Sequence, residues 1–113
     1  MVKGKVVLVL FPFDDLTSAK LRPAVCLTDP MGSYRHVVLA FITSQIPEDV
    51  LETDVVLDSS RDDFSTTGLR VSSTIRLHRL MTVTTSVIQR ELGELSAQMR
   101  DEVNKKLQKL FEW

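Results

Sequence analysis

A chain of 113 residues has room for one domain with a modest core and for no second one. Its 43% hydrophobic and 26% charged residues, with only four Gly and four Pro, exclude disorder and low complexity. A formal net charge of -1 argues against a protein that grips nucleic acid chiefly through a broad basic surface, while leaving room for a small local basic site. No apolar run approaches the roughly twenty residues that span a bilayer, and the N-terminus lacks the apolar stretch and small cleavage-site residues of a signal peptide. The expectation is a cytoplasmic protein with no membrane association. Cys26 is the single cysteine, so no internal disulfide forms, and its place in an apolar run makes it a buried, inert thiol.

In chain order, residues 4–10 (Gly-Lys-Val-Val-Leu-Val-Leu) are rich in β-branched residues and apolar on both faces, which predicts a buried strand. Residues 11–20 carry loop chemistry, with Phe11 and Phe13 either anchoring the loop to the core or covering a ligand. The adjacent acids Asp14 and Asp15 have no third ligand at metal spacing, so no metal is expected. Strands follow at 21–28 and 35–44, joined by a turn at 29–33 (Asp-Pro-Met-Gly-Ser), with His36 at a solvated strand start. Residues 45–54 are acidic and broken by Pro47, and Val55-Val56-Leu57 is long enough only for a strand. Residues 58–68 form a polar excursion whose one aromatic, Phe64, tucks beneath it or meets a partner.

Residues 73–80 alternate, with Ile75 and Leu77 on one face and Thr74, Arg76 and His78 on the other; with Arg70 and Arg79 nearby this is the densest basic patch of the sheet. It faces either solvent or the same site as Arg22. Residues 81–95 predict a last short strand ending in a turn at Gly93. Ser96 reads as the N-cap of an amphipathic helix with Met99, Val103, Leu107, Leu110 and Phe111 on one face. Trp113 is expected as a core plug, with an exposed anchor for another protein as the alternative.

Pairing the strands at 21–28 and 35–44 antiparallel brings Arg22 beside Thr43. A guanidinium with forked donors next to a hydroxyl is a phosphate-sized site that needs no metal, which points to phosphodiester chemistry.

Five blocks then stand in one order: Gly4 to Leu16, Lys20-Leu21-Arg22-Pro23-Ala24-Val25, Ile42-Thr43-Ser44, Gly68-Leu69 with Ser73, and Gly93-Glu94-Leu95-Ser96. In these the chain resembles the MazF/PemK-like toxins of bacterial toxin-antitoxin systems, over nearly its whole length. The resemblance implies a mainly β fold, an SH3-like small barrel of the CcdB-MazF type with a C-terminal helix. It also implies a homodimer, a cognate antitoxin as partner, and a metal-independent endoribonuclease that cuts single-stranded RNA at short motifs without a cofactor. The family's catalytic Arg and Thr fall on Arg22 and Thr43. Ser44, Asp14, Lys20, Ser73 and Arg76 are the expected substrate contacts. Lys5 replaces an acid found in many members and Asp14 replaces a Thr, and both changes bear on RNA binding. Two other readings stay open: a CcdB-like gyrase poison acting through Trp113, and a binding module of the same fold with an inactive site.

Overall fold

The computed structural model describes residues 2–11 and 20–113. Within them, six strands and one helix follow in the order β1 (Lys5–Phe11), β2 (Lys20–Cys26), β3 (His36–Thr43), β4 (Asp54–Leu57), β5 (Ser73–Thr84), β6 (Ile88–Glu94) and α1 (Ala97–Leu110), with short 3-10 turns at Phe64–Thr67 and Thr85–Val87. The strands form one sheet in the order β4-β5-β3-β2-β1-β6, antiparallel at every pairing.

The central strands read as continuous apolar runs because each face of the sheet has its own core. On one side Val6, Val25, Ala40, Ile75 and Leu77 pack with Met99 and Val103 of α1. On the other, Val7, Val9, Ala24, Leu39 and Phe41 pack together. Leu39, Ile75 and Leu77 are fully buried, each worth about 1.5–3 kcal/mol in removed apolar surface. The expected mainly β architecture with a C-terminal helix is the one observed.

Strand β5 is sharply irregular. Phe41 pairs with Arg76 while Ala40 pairs with Leu80, so Leu77, His78 and Arg79 stand between consecutive rungs. The first part of β5 therefore pairs with β4 as well as β3, and the second part with β3 alone. Such a bulge bends the strand and re-aims the side chains it carries.

Three sequence expectations are corrected. The turn before β3 lies later than 29–33: Met31 bridges His36, and the four residues between them turn with Gly32 and Arg35 at φ of 71° and 52°. Asp29 serves elsewhere, its carboxylate accepting from the Val2 and Lys3 N–H groups at 2.8 and 2.9 Å, which holds its pKa below the usual range. In the second correction, residues 81–95 hold the end of β5, a short turn and all of β6, and Gly93 lies inside that strand rather than at a turn. It is Gly because residues 64–68 cross directly over it: an added Cβ would stand 2.3 Å from the Thr66 carbonyl oxygen. Gly68, at φ 72°, meets the same crossing from the other side, where an added Cβ would stand 2.0 Å from the Leu92 carbonyl oxygen. Phe64 tucks beneath the excursion and is buried.

The third correction concerns the C-terminus. Ser96 caps α1, its Oγ accepting from the Met99 N–H at 3.0 Å, and the apolar face runs through Met99, Val103, Leu107 and Leu110. Phe111 sits at the C-cap with a non-helical φ of -104°, so it leaves the face and is 56% exposed. Trp113 is fully exposed and is not a core plug, because the face beneath α1 is already filled by the residues before it.

Candidate active site

Strands β2 and β3 pair at Ala24–Phe41, Val25–Ala40 and Cys26–Leu39, and the Leu27 N–H donates to the Val38 carbonyl at 2.8 Å. Hydrogen-bonding direction alternates along a strand, so Leu27, Val25 and Pro23 turn their backbone groups toward β3. Pro23 has no N–H to give, and the ladder stops at Ala24. The same register carried two residues further sets Arg22 across from Thr43. Side chains two residues apart share a face, so Arg22 follows Ala24, and Thr43 follows Phe41, onto the side of the sheet away from α1. Lys20, paired with Phe11, lies on that face too and is exposed. Arg22 and Thr43 are half-buried, and the Arg22 Nε is out of contact with solvent.

The Thr43 hydroxyl donates to the carbonyl of Gln45 at 3.1 Å. Thr74, its cross-strand partner on β5, donates to the same carbonyl at 3.0 Å and is fully buried. Two hydroxyls thus fasten the chain where it leaves β3, and they leave Ser44 exposed between them.

Of the other expected contacts, Arg76 shares the face of Phe41 but is engaged: its Nε stands 3.0 Å from Oδ1 of Asp54, its partner on β4. The Asp54 side chain is wholly buried, accepts from the Leu51 N–H at 2.8 Å, and has His78 Nδ1 at 4.0 Å. The angle at the Arg76 contact is not that of a hydrogen bond, so the pair is held by charge. Ser73 is separated from the site. It shares the Ile75 face, is buried, and its hydroxyl donates to the Val71 carbonyl at 2.8 Å. Asp14 lies outside the described residues, as do residues 12–19 of the loop from Phe11 to Lys20 that was expected to cover a ligand.

Phe41 closes the floor. Its ring meets that of Phe11 edge-on at 4.7 Å, and the Arg79 guanidinium carbon stands 5.7 Å from its centroid. Cys26, further along β2, is held neutral: burial first, then the carboxylates of Asp29 and Glu91, push its thiol up to about 11. Among the described residues no three His, Cys, Asp or Glu side chains converge as metal ligands. A cleft of 110 Å³ between Gly4, Leu27 and the helix residues Arg100, Val103 and Leu107 lies at the other end of β2 from Arg22. Sequence reading missed Asp54, Thr74 and Gln45, which hold the site's surroundings in place. Their roles depend on register between β3, β4 and β5, and no local motif marks them.

The fold is that of the MazF toxins. The Mycobacterium tuberculosis toxin MazF-mt6 is 21% identical, with 96% of this chain and 99% of that chain covered and a TM-score of 0.70. A mycobacterial endoribonuclease in complex with its cognate antitoxin is 15% identical over 100% and 98% of the two chains, at 0.71. MazF in a MazE-MazF structure from Deinococcus radiodurans is 20% identical over 99% and 95%, at 0.69. No curated protein matches the sequence. The family described as PemK-like, MazF-like toxin of type II toxin-antitoxin system matches residues 2–111, and the chain belongs to that family.

Proposed function

We propose that the protein acts, as one domain, as a metal-independent endoribonuclease that cuts single-stranded RNA at short sequence motifs and serves as the toxin of a type II toxin-antitoxin pair. The observation that supports this reading is the register of β2 and β3, which, continued two residues past Ala24 and Phe41, would bring Arg22 and Thr43 to one face at neighbouring strand ends. RNA supplies its own nucleophile, so the protein has to orient the chain and stabilise charge. The 2'-oxygen bonds to phosphorus as its proton leaves, and the bond from phosphorus to the 5'-oxygen breaks as that oxygen takes up a proton. The products are a 2',3'-cyclic phosphate and a 5'-hydroxyl. Arg22 offers a fixed positive charge and forked donors to the phosphorane oxygens. Thr43 donates to a nonbridging oxygen by turning its hydroxyl away from Gln45, whose carbonyl keeps the Thr74 donor. Lys20 and Ser44, both exposed beside them, contact the flanking chain.

A cytoplasmic location, a homodimer and a cognate antitoxin partner belong to the same proposal. Two of the similar structures, from mycobacteria and from Deinococcus radiodurans, contain an antitoxin with the toxin. No helix among the described residues is long and apolar enough to cross a membrane. The decisive experiment incubates purified protein with a long RNA in EDTA and maps the new ends. Cutting at recurring motifs, unaffected by EDTA and absent with DNA, is expected. Intact RNA overturns the proposal. The gyrase-poison reading rests on the exposure of Trp113; growth inhibition without RNA cleavage, lost in Trp113→Ala together with gyrase binding, would favour it instead.

A further inference from the structure

We infer that Arg79 is a second phosphate-binding residue of this site, holding the phosphodiester next to the one that Arg22 engages; the inference rests on the RNA reading above. Arg76, His78 and Arg79 follow one another on the bent part of β5, and their surroundings differ. Arg76 is committed to the buried Asp54, and His78 leans toward the same carboxylate. Arg79 is exposed and has no carboxylate at ion-pair distance among the described residues, whereas Arg76 and Arg100 each have one and Arg61 has two.

What Arg79 has is the Phe41 ring. The residues looped out between the Phe41 and Ala40 rungs put Arg79 over that ring, and the edge of Phe11 holds the ring in place. A guanidinium within about 6 Å of a ring centroid is attracted to it and keeps its N–H donors for an anion. The side chain is thereby ordered before ligand arrives, which lowers the entropy lost on binding. Phe41 and Thr43 lie on one face two residues apart, about 6.8 Å along the strand. The ring that Arg79 covers is thus one such step along β3 from Thr43. Arg79 lies off the reacting phosphate, so it binds and positions RNA and takes no part in bond making.

The test uses a mixed-sequence RNA methylated at every 2'-oxygen, which binds but cannot be cut, and measures the dissociation constant across a salt series. Each phosphate neutralised on a single strand contributes about 0.7 to the slope of log affinity against log salt. Arg79→Ala is expected to lower the slope by about that amount, Arg79→Lys to keep it, and Arg90→Ala, an exposed cation on β6, to leave it unchanged. With cleavable RNA, Arg79→Ala should raise KM several-fold at nearly constant kcat. Wild-type slope and wild-type KM in a folded Arg79→Ala protein, alongside an active wild type, would overturn the inference alone. A wild type that neither binds nor cuts RNA would overturn it together with the proposed function.

Discussion

At the scale of single residues, the proposed site would depend on two backbone positions as much as on its side chains. Pro23 ends the ladder beside Arg22, and the Gln45 carbonyl holds Thr43 in waiting. Replacing Arg22 by Ala is expected to lower RNA cleavage about a hundredfold or more with the fold intact, since the side chain is only half-buried. Thr43→Ala should act in the same direction and less severely. Initial rates on a mapped RNA, with circular dichroism as the folding control, check both. Thr74→Val carries a separate expectation. It leaves the Gln45 carbonyl with Thr43 as its one hydroxyl donor, so Thr43 turns toward substrate at the cost of a hydrogen bond worth about 1 kcal/mol. Cleavage should then fall about fivefold in kcat, with KM nearly unchanged. A larger loss in KM than in kcat would contradict that role.

At the scale of elements, the excursion at 58–68 is tied to the helix by charge. Arg61 bonds Glu102 at 2.7 Å and Asp63 at 3.0 Å, and the Ser96 hydroxyl, which caps α1, donates to Asp63 as well. The Arg61 bond first, then that of Ser96, lowers the Asp63 pKa from 3.8 to about 2. A carboxylate whose pKa is lower folded than unfolded adds stability that is complete above the unfolded value and fades as pH falls through the folded one. Melting temperature should therefore drop between about pH 4 and pH 2, and Asp63→Asn should flatten that part of the profile. Ser96→Ala should cost about 1 kcal/mol through the lost cap, read by urea unfolding. Elements were legible in the sequence where composition alone decides them: the apolar run of β1, the Ser96 cap, the alternation of Ile75 and Leu77 on β5. The boundary of β5 and β6 was not. The looped-out Leu77 to Arg79 breaks the period of two, and Gly93 is small because residues 64–68 cross it, a tertiary requirement that looks like a turn when read locally.

At the scale of the whole molecule, two cores share one sheet, and Cys26 lies in the one away from the helix at zero exposure. Its thiol should react with a disulfide reagent only when the chain opens. The labelling rate is expected to follow the unfolding equilibrium in urea, with almost no reaction in its absence. The proposed homodimer gives twice the 12.8 kDa of one chain by light scattering, and a monomer across the working concentration range would remove it. The overall architecture was legible because buried strands, the polar excursion at 58–68 and a capped helix each leave a mark in composition. For the proposed site, the hairpin of β2 and β3 that the sequence suggested is present, and its register is the basis for setting Arg22 near Thr43. That Arg76 would be taken by Asp54 was not visible, since it depends on how β4 meets β5, whereas the face of Ser73 follows from the same alternation that sets Ile75 and Leu77.

The pairing of Lys5 with Glu94 puts the first strand of the sheet in chain order next to the last. β1 has β2 beside it early, but its other edge stays open until residue 94 has been synthesised, and the helix that covers the first core comes later still. Until β6 has been made, a nascent chain therefore exposes an unpaired sheet edge along β1, and closure of the sheet waits for that strand.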